Sequence, residues 1–256
     1  MYVDITKVIL AAENGGAEVS KYFGQILDIQ EKTTLSDFRT KADTESENAI
    51  IKTLSKEFPS FNILAEETGF VDKKSEYTFI VDPLDGSNNF VLGIPNFSIS
   101  IGLMKNKESI LGVVHVPVLG HTYHAKKNQG AYMQNKKISV NSKSDIKYAT
   151  ISYSCGYIHS NDYSEKLTHN LNLLGINRIL YNWSPAFEFC LLASGKIEAI
   201  INNGNEIYDY AAGKIIAKEA GAIITSFDGV FEKTDEGNIF IASNSQEINK
   251  VLLKQV

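Results

Sequence analysis

The sequence predicts a layered fold of mixed α+β and α/β character, and three features of its order carry that prediction. Segments with helical spacing come first. A block of short β-rich segments follows from Phe97 to Met133, punctuated by Asn106, Gly120 and Gly130. Beyond about residue 147, strands and helices alternate.

The first helix is predicted over residues 5–23, where Ile5, Val8, Ile9, Ala12, Val19, Tyr22 and Phe23 recur at helical spacing and Gly15-Gly16 forms a weak point. A second helix is predicted over 44–57, with Ala49, Ile50 and Leu54 on its apolar face and Pro59 just beyond its end. Residues 62–65 and 77–81 read as strands, and the latter run straight into Asp82-Pro83-Leu84-Asp85-Gly86-Ser87-Asn88-Asn89-Phe90. Residues 97–104, 109–116, 122–125 and 131–133 form an antiparallel meander. After it come strands at 149–153, 178–181, 197–201, 222–225 and 239–242, with helices at 162–174, 185–194, 210–220 and 246–253. Pro185 suits the first turn of its helix. The change near residue 140 divides the chain into an N-terminal α+β half, 1–140, and a C-terminal α/β half, 141–256, which share one site in a single compact unit.

Composition narrows the function classes. The 256 residues are 43% hydrophobic and 21% charged, as in an ordinary globular protein, with a formal net charge of −5 that argues against nonspecific binding of a nucleic acid polymer. No leader with a basic start and an apolar core is visible, and no apolar run approaches the ~18 residues that span a bilayer, so no membrane partner is expected. Cys155 and Cys190 are the only cysteines, and two isolated thiols suggest a reduced, cytoplasmic protein rather than a disulfide framework.

The chemistry concentrates in acidic segments placed at strand ends and helix starts. Asp82 and Asp85 flank Pro83 and precede Gly86, so a rigid turn brings two carboxylates toward one point. Close carboxylates repel unless a proton or cation lies between them, and an all-oxygen set suits Mg²⁺, Mn²⁺ or Ca²⁺. Ile63-Leu64-Ala65-Glu66-Glu67 ends another strand in acids, Asp43 precedes a helix, and Asp209 lies in Ile207-Tyr208-Asp209-Tyr210-Ala211-Ala212-Gly213 at the start of one. Each also has a plain structural use: Asp209 and Asp43 can cap their helices, Glu67 can be exposed, and Lys32 can be a surface lysine. Carboxylates holding a divalent cation beside helix-start N–H groups from Gly86 and Ser87 are the apparatus for metal-assisted phosphoryl transfer to water. His121 and His124 are close in sequence, but their spacing puts them on opposite faces of a strand.

At this point the residues resemble a known family. Asp82 through Phe90 looks like the signature of the inositol monophosphatase family, a branch of the Mg²⁺-dependent, lithium-sensitive phosphatases that also include the fructose-1,6-bisphosphatases. Glu66-Glu67 fits the family's glutamate pair, Lys32 through Asp43 its N-terminal element, and Asp209-Tyr210-Ala211-Ala212-Gly213 with Glu219-Ala220-Gly221 its C-terminal signature. The resemblance covers nearly the whole chain, in order, and implies an alternating α-β-α-β-α sandwich of the sugar phosphatase type. It implies that Glu66, Asp82 and the carbonyl of Leu84 hold one Mg²⁺, that Asp82, Asp85 and Asp209 hold a second, and that a third sits near Glu66, with Lys32 near that metal or the phosphate. Ser87, where the family usually has Thr, would orient the attacking water with Asp43 and Glu66. Gly86 and Ser87 would hold phosphate, and Asp85 and Asp209 would also face substrate. A homodimer is implied as well.

Two departures bear on the substrate. Trp183-Ser184-Pro185-Ala186 stands where the family commonly has Gly-Ser-Ala-Ala, so an indole and a proline line the expected leaving-group pocket. Asn202 stands where inositol-specific members often have Glu, and an amide forgoes the charge-assisted bond. Trp183, Pro185 and Asn202 are therefore the candidate substrate contacts. The reading is a phosphomonoesterase for inositol monophosphate or a related small sugar or polyol phosphate. The rivals are fructose-1,6-bisphosphate, nucleotide 3′-phosphate or histidinol phosphate as substrate, and a non-catalytic protein that binds phosphate metabolites. No covalent phosphoenzyme is implied, because neither an Asp-x-Asp-x-Thr motif nor a Cys-x5-Arg loop is present.

Overall fold

The computed structural model describes residues 3–25, 30–31, 38–156 and 161–256. Its N-terminal part runs through α1 (Ile5–Ser20), β1 (Gln30–Glu31), β2 (Phe38–Arg39), α2 (Lys41–Glu57), β3 (Asn62–Ala65), β4 (Gly69–Val71), β5 (Tyr77–Asp85) and α3 (Ser87–Val91). The meander follows as β6 (Ser98–Lys105), β7 (Glu108–Val116), β8 (His121–Lys126), β9 (Ala131–Met133) and β10 (Lys136–Ile138). The rest alternates: β11 (Thr150–Cys155), α4 (Asn161–Leu173), β12 (Arg178–Leu180), α5 (Pro185–Ala193), β13 (Ala199–Asn203), α6 (Ile207–Glu219), β14 (Ile223–Ser226), β15 (Ile239–Ser243) and α7 (Gln246–Leu252).

These elements build five layers. The larger sheet has eight strands in the order β10-β9-β8-β7-β6-β5-β3-β4, and the smaller has five in the order β12-β11-β13-β15-β14. In the larger sheet β3 and β5 pair in parallel and every other pair is antiparallel. The paired helices α1 and α2 cover one face of this sheet, burying Val8, Ala12, Val19, Ile50 and Leu54 against Phe79, Ile99, Ile101 and Val113. On the other face lie α5 and α6, where Ala186, Cys190, Ala212 and Ile216 meet Val114 and Val116. The same two helices turn Phe189, Tyr210 and Ala217 onto Ile200 and Phe240 of the smaller sheet. Its far face is closed by α4 and α7 through Leu167, Leu171, Ile248 and Leu252. Helix, sheet, helix, sheet, helix is the layering expected from the sequence, and it puts α5 and α6 in the middle with a sheet on either side.

Three local differences from the sequence expectation affect the site. Strand β5 does not stop at Val81 but runs on to Asp85, with its pairing to β6 shifting register between Asp82 and Asp85. Pro83, which has no N–H to give a ladder, falls inside that irregularity, where a sheet tolerates it. Helix α6 begins at Ile207 rather than 210, so Asp209 sits within the first turn. Gly15-Gly16 does not weaken α1: both are buried, and a Cβ on either would come within 2.8 Å of an Ile50 or His115 side-chain atom, so the pair lets α1 settle onto α2 and β7. The same device seats α6, since a Cβ on Gly112 of β7 would lie 2.4 Å from the Ala212 carbonyl oxygen.

Candidate active site

The site forms where the end of β5 meets the starts of α2, α3, α5 and α6. Leaving its ladder, β5 bends because the Leu84 N–H donates to the Asp82 carboxylate at 2.9 Å. Gly86 then takes a left-handed φ of 90°, which a glycine adopts without penalty, and starts the five-residue α3. Any side chain at 86 would also meet the Asn96 carbonyl oxygen at 2.9 Å. Behind the bend, the Ser46 hydroxyl of α2 donates to the Pro83 carbonyl at 2.8 Å.

Asp82 and Asp85 thus become neighbours of Asp209. One carboxylate oxygen from each lies within 4.8 Å of the other two. Asp82 and Asp85 are buried, and Asp209 is closer to solvent. Asp85 is oriented by three donors on a single oxygen: the hydroxyls of Ser98 (2.7 Å) and Ser184 (2.6 Å) and the Phe187 N–H (3.3 Å). Its other oxygen is buried without a hydrogen-bond partner. Asp209 is oriented in the same spirit, its Oδ2 accepting the Glu206 N–H at 2.8 Å in a capping box, while the Ser100 hydroxyl ties the Tyr208 carbonyl to β6 at 3.1 Å. Capping and site geometry are therefore one arrangement for Asp209, not competing readings.

Asp43 repeats that arrangement. Thr40, not Asp43, is the N-cap of α2. Asp43 is the third helical residue, and its Oδ2 accepts the Thr40 N–H at 2.8 Å and the Thr40 hydroxyl at 2.7 Å. Its Oδ1 lies 3.4 Å from the Ser87 hydroxyl, which donates to the Leu84 carbonyl at 2.9 Å. Glu66 follows β3 at the turn, and its backbone N–H reaches the Val81 carbonyl at 3.2 Å. That turn is gripped by Glu47, a buried carboxylate one turn along α2 from Asp43, which accepts the Glu67 N–H at 2.8 Å and bonds Thr68.

Burial pushes the Asp82 carboxyl well above its usual range, and the charges of Glu66, Asp85 and Asp209 add to this. Asp209 is raised by burial, then by Asp85 and Glu66. Burial takes Asp85 up to about 6 despite its hydroxyl donors. Among the described residues, no lysine or arginine forms an ion pair with Asp82, Asp85 or Asp209. Clustered carboxylates with an unpartnered buried oxygen and, among the described residues, no cationic partner fit a divalent metal with oxygen ligands, whose charge would reverse every one of these shifts.

Other expected positions land differently. Asn202 does not offer its amide to a substrate: it is buried, its Nδ2 donates to the Asn238 carbonyl at 2.7 Å and its Oδ1 accepts from Asn205 at 2.6 Å. A polar side chain at the end of a central strand is spent on closing the fold. Pro185 is the first residue of α5, next to Ser184. Trp183 is exposed at the rim. Lys32 lies outside the described residues. Ser46, Glu47, Ser98 and Ser184 were not legible as site residues, since they act from elements remote in sequence. Glu188 could have been flagged, because it is the one charged residue in the apolar helix Pro185–Ala193.

Comparison with known proteins meets this geometry. The profile of the "Inositol monophosphatase family" matches residues 2–256. The chain belongs to the inositol monophosphatase family. It is a phosphoric monoester hydrolase of the metal-dependent sugar phosphatase class. A "Fructose-1,6-bisphosphatase/inositol-1-monophosphatase" of Thermotoga maritima is 33% identical over 240 residues, covering 90% of this chain and 88% of its own. A "Nus factor SuhB" of Vibrio cholerae is 30% identical, covering 98% and 95%. Among solved structures, the Thermotoga maritima IMPase superposes with a TM-score of 0.88 at 31% identity, covering 98% of this chain and 95% of that one. The extragenic suppressor protein SuhB of Bartonella henselae gives 0.91 at 26%, covering 98% and 97%.

Proposed function

We propose that this protein is a Mg²⁺-dependent phosphatase that hydrolyses inositol monophosphate or a related small sugar or polyol phosphate by direct attack of water. The observation that carries this reading is the buried, unpartnered oxygen of Asp85 inside a three-carboxylate cluster that no described cationic side chain neutralises. Glu66, Asp82 and the Leu84 carbonyl would hold one Mg²⁺, and Asp82, Asp85 and Asp209 a second; a third would sit near Glu66. When bound, the cations acidify water and offset the charge of the transferring phosphoryl group. Ser87, with Asp43 beside it and Glu66 nearby, orients the attacking water, and the carboxylates take its proton. Backbone N–H groups of Gly86 and Ser87, which begin a helix and have no intrahelical partner, face the phosphate. Asp209 stands on the leaving-group side. A cytoplasmic homodimer is part of the same reading.

Phosphate release from inositol 1-phosphate, fructose 1,6-bisphosphate, a nucleotide 3′-phosphate and histidinol phosphate, in Mg²⁺ and in EDTA, tests it. Release that needs Mg²⁺ and disappears in Asp82→Asn is the expected result, and the panel ranks the substrates. No release from any of them by folded protein that binds Mg²⁺ would turn the reading toward a binding protein. The naming of relatives as Nus factor SuhB makes that alternative concrete, but the complete carboxylate set favours catalysis.

A further inference from the structure

Trp183 combines a backbone conformation that the fold enforces with a side chain that it leaves largely uncovered. Its φ is +53°, in the left-handed region that a bulky side chain avoids. Such strain persists where the surroundings over-determine it, and it gathers at ligand-contacting positions. Here two amide side chains hold the turn. The Asn89 amide donates to the Asn182 carbonyl at 2.7 Å and the Trp183 carbonyl at 3.4 Å, and the Asn96 amide donates to Asn182 at 2.8 Å. Beneath the turn, the buried Glu188 carboxyl faces the backbone N–H groups of Asn182 and Ser184 without a hydrogen bond to either.

The strained residue is adjacent to the chemistry. Its carbonyl oxygen would lie 3.2 Å from a Cβ on Gly86, and the next residue, Ser184, gives its hydroxyl to Asp85 at 2.6 Å. Trp183 is 57% exposed, which is unusual for a tryptophan. Leu92 and Ile94, which lie between Asn89 of α3 and Asn96, are exposed too. The polar contact expected from Asn202 is spent inside the fold. An uncovered indole and a strained backbone are both costs, and a ligand ring laid on the indole would offset them.

We propose that Trp183 is a specificity-determining residue: its indole is the platform on which the ring of the substrate's alcohol half stacks, so that cyclic sugar and polyol phosphates are selected over acyclic ones. This deepens the phosphatase reading and rests on it. A ring offers a face of C–H bonds to the indole, whereas an acyclic alcohol such as glycerol cannot cover it without freezing its torsions.

Trp183 is the only tryptophan in the chain, so its emission reports the contact directly. In Mg²⁺-loaded Asp43→Asn, which turns over slowly on the proposed mechanism, inositol 1-phosphate or fructose 1,6-bisphosphate should shift the emission saturably and glycerol 2-phosphate should not. Trp183→Gly relieves the backbone, so its Tm should equal or exceed that of the wild type. Its KM for the cyclic substrates should nonetheless rise about tenfold with kcat unchanged. Trp183→Phe should recover part of that KM, and the KM for glycerol 2-phosphate should not move. Emission unmoved by saturating cyclic substrate, or equal KM changes for cyclic and acyclic substrates, overturns the proposal while leaving the phosphatase reading intact. Wild-type protein that releases phosphate from nothing overturns the phosphatase reading, and the emission titration then decides the contact alone. If Trp183→Gly fails to fold, that titration decides as well.

Discussion

The two sides of the active site are built on opposite plans. On the carboxylate side, Asp82, Asp85 and Asp209 are held by hydroxyls and N–H groups from β5, β6 and the starts of α5 and α6. On the alcohol side, a tryptophan and two aliphatic side chains stand uncovered around a strained turn. The first plan fixes charge in space, which a metal site requires because its ligands must converge within a few tenths of an ångström. The second leaves shape and stacking as the means of selection, which one substitution can alter without touching the chemistry. On the proposed function, the contrast would make reaction and substrate choice mechanically separate.

The largest effect that would break this comparison is at Asp82. Asp82→Asn should lower phosphate release about 10³-fold. In EDTA it should also raise the Tm, because it removes one of several buried, mutually repelling carboxylates; a lower Tm in EDTA would mean that the cluster is not strained without a cation. Beneath the strained turn, Glu188 tests what a buried carboxyl without a hydrogen-bond partner costs. Burial pushes its carboxyl up to about 8, whereas the unfolded chain releases that proton near 4.5. The folded state therefore holds more protons between those values, and its stability falls as pH rises from about 4.5 to 8. Glu188→Gln should flatten that decline and stabilise the protein at pH 8 by a few kcal/mol, read from denaturant curves at several pH values. An unchanged slope would show that another group carries the pH dependence.

A smaller effect sharpens the separation. Glu47→Gln weakens the grip on the Glu66–Thr68 turn and should raise the Mg²⁺ needed for half-maximal activity, and the dissociation constant for Mn²⁺ read by electron paramagnetic resonance, about tenfold. The ranking of substrates should stay as it was. A changed ranking would mean that the two sides communicate. The smallest effect is at Ser46→Ala, which removes one buried hydrogen bond to the Pro83 carbonyl and should cost about 1 kcal/mol of stability.

The same division governs what the sequence reveals. Asp82 through Ser87 is legible because the whole bend is written in consecutive residues, each with a local physical reason to be there. The strand and helix order was legible for the same reason, with bounds moving by a few residues where β5 runs on through Pro83 and α6 starts early. Ser98, Ser184 and Glu47 were not, because a serine or glutamate on a predicted element carries no mark of a partner 13, 99 or 20 residues away. The engagement of Asn202 is not legible either, because whether an amide turns to a neighbouring strand depends on Asn205 and Asn238, which only the folded chain brings to it. The strain at Trp183 is likewise invisible until the backbone is known.

The close seating of α6 on β6 and β7 works as a gauge block. At Gly102 and Gly112 the strands present no carbon to the helix that carries Asp209. A single methyl group at 112 would meet the Ala212 carbonyl at 2.4 Å and have to jack the helix outward. Asp209 would ride with it, away from Asp82 and Asp85, which stay with β5. The spacing of the carboxylates is thus calibrated by two missing side chains some distance from any of them, and a mutation there would be felt first as a changed preference for the size of the ion.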